Sequence, residues 1–203
     1  MNKIFILRII VIFTFLASCR RSSDNLTEVN GHVYDRETLD SLPGAQVFII
    51  KRSQVNGLVT QQGQTTASSE GKYSYSFDAD NNYDYAVAAS YGNYLVVEYN
   101  PVNSGWINNN VDIYLARPGY LALHIKNINP FDVNDKISIF DSDYVYLEYL
   151  FIGTNVDTTV LLTAAGNQLN SLNWKITRND TTNTYNQTVN YISLDTVYLD
   201  LFY

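Results

Sequence analysis

The sequence predicts an all-β chain of two consecutive β-sandwich domains, on three observations. Beyond residue 19, apolar residues nowhere recur at i, i+3, i+4 and i+7 over a helix-length window; they alternate with polar ones, the period of a half-buried strand. The alternating segments are short, and clusters of Asn, Gly, Asp and Pro separate them. A turn signal, Ala116-Arg117-Pro118-Gly119, then divides them into 91 residues (26–116) and 87 (117–203), each the size of one sandwich.

Composition narrows the classes further. Hydrophobic residues make up 46% of the 203, a share that can build a core, so disorder is not the default reading. The formal charge is −7 and no Lys/Arg run extends beyond Arg20-Arg21, which removes the basic footprint that nucleic acid requires. A single Cys excludes an internal disulfide framework and any Cys-rich zinc or iron–sulfur site.

The N-terminus reads as an address. Lys3 and Arg8 precede an uninterrupted apolar or small stretch from Ile9 to Ser18. That stretch is far shorter than the ~20 apolar residues that span a bilayer, so a secretory signal is expected at 1–18. Leu16-Ala17-Ser18-Cys19 resembles the bacterial lipobox, in which the Cys is lipidated and becomes the first residue of the mature chain. The resemblance implies a lipid anchor on Cys19, a tether over 19–27, and residence in the cell envelope, at the outer membrane if the host is Gram-negative. Acidic residues just after the Cys mark surface export in some Bacteroidetes lipoproteins; here Arg20 and Arg21 come first, which leaves the membrane face open.

In the first half, strands are predicted at 28–34, 44–52, 57–66, 72–77, 83–89, 93–99 and 110–116. Lys72-Tyr73-Ser74-Tyr75-Ser76-Phe77 sets three aromatics on one face, and Asn110 to Leu115 repeats the alternation. The second half predicts strands at 119–127, 136–140, 144–152, 156–163, 172–178, 184–191 and 195–202. Because the strand pattern runs to Tyr203, the last strand is expected to pair within the second domain's sheet.

Three motifs in the first half carry a second resemblance. Val29-Asn30-Gly31-His32-Val33-Tyr34-Asp35, Pro43-Gly44-Ala45 before a strand, and Glu70-Gly71-Lys72-Tyr73 opening another are similar to the carboxypeptidase regulatory-like, transthyretin-like β-sandwich family. Tyr83-x-Tyr85-x-Val87 followed by Tyr91-Gly92 fits the same pattern, while Gln54 to Gln64 lengthens one connection. The resemblance covers 28–116 and implies a transthyretin-like (prealbumin-like), non-catalytic first domain. The second, 117–203, is expected to be an Ig-like or similar sandwich.

Chemistry-bearing residues are few. His32 and His124 lie inside strand patterns, and no Gly-x-Ser-x-Gly elbow accompanies them. Asp78, Asp80 and Asn82 place oxygens at alternate positions as a calcium loop would, but Tyr83 and Ala89 stand where an EF-hand needs Gly and Glu. A hydrophilic turn is the competing reading. Asp132, Asp135, Asp141 and Asp143 form a second acidic neighbourhood whose spacing defines no sugar cleft. Trp106, with Tyr91, Tyr94 and Tyr99, borders Asn- and Gly-rich turns and is the candidate binding set for a glycan or protein; the alternative is packing, with Trp106 plugging one end of the sandwich. No cofactor is expected.

These features point to a non-enzymatic, membrane-anchored module that binds or scaffolds a protein or glycan. The alternatives are a glycan-binding or glycan-active accessory using loop carboxylates and aromatics, and a fibre subunit that donates residues 195–203 to a neighbour.

Overall fold

The computed structural model describes residues 25–108, 110–141 and 148–203, without the side chains of Asp141 and Glu148. The expected signal peptide, Cys19, the start of the tether, Asp143 and the side chain of Asp141 lie outside the described residues.

Among the described residues the secondary structure is all β. In chain order the strands are β1 (Leu26–Asp35), β2 (Gln46–Ser53), β3 (Val59–Thr66), β4 (Lys72–Asp78), β5 (Tyr83–Ser90) and β6 (Leu95–Val96). There follow β7 (Asn100–Val102), β8 (Ile107–Asn108), β9 (Ile113–Ala116), β10 (Pro118–Lys126) and β11 (Lys136–Asp141). The last are β12 (Glu148–Ile152), β13 (Asp157–Ala165), β14 (Gln168–Arg178), β15 (Thr181–Tyr191) and β16 (Thr196–Phe202).

They form four sheets. One runs β4-β1-β9-β6, with β8 also on β1, and a second runs β3-β2-β5-β7. The others are β13-β10-β16 and β12-β11-β14-β15. No sheet mixes strands from the two sides of Arg117. Alternation explains the layering: along β1, Thr27, Val29, Val33 and Asp35 are buried while Glu28, His32 and Tyr34 face outward. Val29, Val33, Val47, Ile49, Val87 and Leu115 form the first core, and Leu121, Leu123, Ile125, Ile137 and Ile139 the second. Each such side chain contributes about 1.5–3 kcal/mol on burial.

Gly31 is dictated by its neighbour. The N–H of Val111 donates to the Asn30 carbonyl at 2.9 Å, which brings that backbone so close that a Cβ on residue 31 would stand 2.3 Å from the Val111 oxygen. Gly71 adopts φ +77°, so the chain reverses there and its carbonyl accepts the Val33 N–H.

The structure corrects several sequence expectations. The strand predicted at 93–99 shrinks to Leu95–Val96, because Tyr94 N–H turns back to the Tyr91 carbonyl and Val97 to Tyr99 run along an open cleft. The Asn- and Gly-rich turn expected beside Trp106 instead contains β7 and β8. The strands predicted at 172–178 and 184–191 lengthen to Gln168–Arg178 and Thr181–Tyr191: Asn179 and Asp180 sit at φ 44° and 58°, a two-residue turn that lets the ladder run to its tip.

β9 and β10 are separated by Arg117 alone. Its Nε donates to Asp35 Oδ2 at 2.6 Å, and its carbonyl accepts Gly166 N–H at 2.8 Å. Asp35, whose side chain is 2% exposed, also accepts from the Tyr94 hydroxyl at 2.8 Å and from the N–H groups of Glu37 and Thr38. Burial raises this carboxyl, but the Glu37 N–H, the Tyr94 hydroxyl, Arg117 and the Thr38 N–H outweigh it and hold it below its ordinary value. Arg36 to Gln168 Oε1 at 3.1 Å and Ser193 to Glu37 add hydrogen bonds across the junction.

Asp35→Ala leaves these donors facing an apolar methyl and should cost about 3–5 kcal/mol in a urea unfolding titration, the range for removing one partner of a buried pair. A loss under about 1 kcal/mol would mean that the carboxylate does not hold this corner together.

Candidate functional site

The four aromatic residues singled out in the first half do not converge. Tyr91 and Tyr94 pack edge-on at 5.7 Å against the first core, and the Tyr94 hydroxyl is committed to Asp35. Tyr99 is exposed and lines, with Tyr94, an open cleft of about 920 Å³ between the two halves. That cleft's far wall is built from Ala164, Ala165 and Gln168, which present little to grip.

Trp106 does not plug the sandwich; it is 71% exposed. Its loop is nevertheless held firmly. Asn108, buried, donates to the carbonyls of Glu28, Asn103 and Trp106 and accepts the Asn103 N–H, while Gly105 N–H donates to Thr27 Oγ1 at 2.7 Å.

The acidic candidates are occupied with turns. Asp80 Oδ1 accepts both the backbone N–H and the side-chain amide of Asn82, at 2.9 and 2.8 Å, and Asp78 ends β4. Asp135 is fully buried, accepts from Asn127 and the Phe131 N–H, and lies 3.3 Å from Arg178 Nε. Asp132 Oδ1 accepts the Asn134 N–H. No group of three or more His, Cys, Asp or Glu among the described residues is arranged to hold a metal ion.

Both histidines serve sheet faces. His32 stacks on Tyr34 at 5.4 Å, which in turn stacks on Tyr114 at 5.6 Å. His124, on the central strand β10, bonds Asp200 on β16 through Nδ1 at 2.9 Å and Asp157 on β13 through Nε2 at 2.8 Å. Engaging both nitrogens with carboxylates favours imidazolium, so Asp157 and then Asp200 raise the pKa of His124.

A different place in the second sandwich has the shape of a binding site. The two-residue turn at Asn179-Asp180 sets the hairpin register so that Trp174 faces Tyr185, and their rings stack at 5.7 Å with 15° between planes. Asn183, Tyr185, Gln187, Val189 and Tyr191 share the inner face of β15. Val189 and Tyr191 are buried in the core, but Tyr185 is 42% exposed. The reason is strand count: this sheet has four strands and the opposing one three, so the inner face of β15 outruns its cover.

The result is a groove of about 490 Å³ between the hairpin and β16. Trp174, Ile176 and Tyr185 line one side, Leu199 to Tyr203 the other, and Asn129, Asn183 and Gln187 add amides. Arg178 lies over the Tyr203 ring at 5.2 Å and donates to Asn127 Oδ1 at 2.7 Å. The buried Tyr203 hydroxyl has no hydrogen-bond partner among the described residues. Aromatic faces beside side-chain amides suit a neutral ligand that offers both apolar surface and hydrogen-bonding groups. Trp174 and Tyr185 are not among the sequence-predicted candidates; the signal for them is their equal distance from Asn179-Asp180, a pair suited to a two-residue hairpin turn.

No protein-family model matches the chain, and no curated protein is similar to it. Among solved structures, it is similar to the Bacillus anthracis TIE protein at 11% identity and a TM-score of 0.35, over 87% of this chain and 34% of that one. A streptococcal ancillary pilin aligns at 10% identity and a TM-score of 0.36, over 88% and 63%. The minor pilin of Streptococcus agalactiae aligns at 10% identity and a TM-score of 0.38, over 87% and 94%. This chain thus spans about a third of the first of these proteins and under two thirds of the second.

His124 makes stability pH-dependent with a definite sign. Its folded pKa lies above the ordinary 6.5, so its contribution is complete below that value and is lost as pH rises through the folded pKa. The melting temperature should therefore fall as pH rises above about 6.5, and the fall should flatten in His124→Gln. Equal slopes for the two proteins would show that the imidazolium adds nothing.

Proposed function

We propose that this chain is a lipid-anchored, non-enzymatic envelope protein that binds a partner macromolecule through the groove between β15 and β16. The observation that carries the reading is that groove: an aromatic pair left uncovered by unequal sheets, with side-chain amides beside it. Anchoring rests on the lipobox-like Leu16-Ala17-Ser18-Cys19. Durable attachment requires more than one acyl chain, which lipidation of Cys19 together with its new N-terminus would supply.

The glycan-active reading is weakened by the carboxylates on which it depended. Asp135 is sealed in the interior and paired with Arg178, and Asp132 is spent on its own turn. Donation of 195–203 is weakened too, since β16 pairs with β10 along its length and buries Leu201 and Tyr203 in the second core.

Cys19→Ala should shift the protein from the membrane to the soluble fraction of its host; unchanged retention in the membrane would rule out the anchor. Trp174→Ala with Tyr185→Ala should weaken binding on combined glycan and peptide arrays by at least about tenfold, the cost of losing an aromatic anchor. Polysaccharide hydrolysis by the intact protein that vanishes in Asp132→Asn would overturn the non-enzymatic reading.

A further inference from the structure

We infer that the occupant of this groove is an extended, uncharged peptide segment of a partner protein, which pairs as an added strand with the open edge of β16. The inference rests on the binding role just proposed and names its ligand class.

The backbone of β16 supplies the first argument. β16 runs parallel to β10, and the ends of their ladder fix its phase: Tyr120 N–H donates to the Asp195 carbonyl and Tyr203 N–H to the Lys126 carbonyl, both at 3.0 Å. Residues of a parallel strand bond alternately to one side and the other. Asp195, Val197, Leu199, Leu201 and Tyr203 therefore face β10, and the N–H and C=O groups of Tyr198, Asp200 and Phe202 point away from it. No strand among the described residues pairs with that side of β16. An open row of main-chain donors and acceptors is a template for another strand.

Position is the second argument. A strand added beside β16 becomes the fourth of its sheet and lies opposite the uncovered inner face of β15. Its inward side chains would meet Trp174, Ile176 and Tyr185, and its outward ones would face solvent. The open stretch of β15 from Thr181 to Gln187 matches a segment of about six residues with apolar side chains at alternate positions.

Charge is the third. Arg178 has its counter-charge in Asp135, although its Nε makes no hydrogen bond among the described residues, and Asp200 has its own in His124. An uncharged segment follows.

The test separates backbone pairing from side-chain binding. A phage-displayed library of random short peptides is selected on the full chain in detergent, and enriched peptides are titrated by fluorescence anisotropy. Expected are sequences with apolar residues at alternate positions. Trp174→Ala should weaken them at least about tenfold. Tyr198→Pro should do the same, because it removes an edge N–H without touching the β10 ladder, whereas Tyr198→Ala should leave affinity within about twofold.

Circular dichroism and melting check that Tyr198→Pro is folded. Peptides N-methylated at alternate residues repeat the test without altering the protein, and they should lose binding when the methylated edge is the pairing one. No enrichment, or equal affinity for both N-methylated forms and for Tyr198→Pro, overturns strand addition. Retention of neutral oligosaccharides by Tyr198→Pro and their loss in Trp174→Ala also overturns it, but sustains the groove as a binding site. Binding indifferent to Trp174→Ala overturns the groove itself.

Discussion

The buried carboxylate of Asp35 is the constraint on which the junction between the two sandwiches depends. It closes the first sandwich, since it caps the turn after β1 through Glu37 and Thr38 and holds the Tyr94 hydroxyl. It also reaches the second, since Arg117 is the one residue between β9 and β10. A carboxylate this deeply buried is costly unless paired and hydrogen-bonded, and here it accepts from four groups. With Arg117 gripped by Asp35 on one side and Gly166 on the other, the linker has little freedom to swing. The fixed junction also explains why Tyr94 is unavailable as a binding residue.

The second sandwich contains a related device in a different place. Asp135 is again fully buried and is again met by backbone N–H groups, an amide and an arginine. Its arginine, Arg178, sits at the tip of the β14–β15 hairpin and leans on Tyr203, the last residue of the chain. Arg178 thus ties the hairpin both to Asp135 and to Tyr203, beside the two walls of the groove. The groove is in that sense a consequence of how the second core is closed.

The all-β class and most strands were legible because alternation reports which face is buried, and β1 and β4 are half-buried strands with clean patterns. The expected last strand is present as β16, paired within the second sandwich. Strand length was legible only where local chemistry ended it. β14 and β15 were read short because Asn, Ser and Thr look like loop; along β15 they face water, and in β14 the buried Asn170 donates to the Ala165 and Gln168 carbonyls. β8 was invisible because what holds it is Asn108, which bonds β1 far away in sequence. The binding candidates failed for a similar reason. Trp106 and Tyr99 were marked by composition alone, while the Trp174–Tyr185 pair depends on a hairpin register and on the number of strands in the opposite sheet. No local pattern encodes that number.

Edge strands are normally guarded by charge, proline, bulges or cover, because an open ladder recruits other chains. Among the described residues β15 has none of these along its eleven residues, and it is uncharged throughout. β16 does carry a charge, Asp200, but its carboxylate is turned onto the outer face and tied to His124, leaving the edge beside it unguarded. Two unprotected edges side by side would be an aggregation hazard in a chain free to diffuse. In a chain held on a membrane by its N-terminus, encounters are restricted in orientation and number, and an open edge can persist for a chosen partner. The unguarded groove and the proposed anchor are therefore complementary: tethering would lower the cost of leaving a strand position empty.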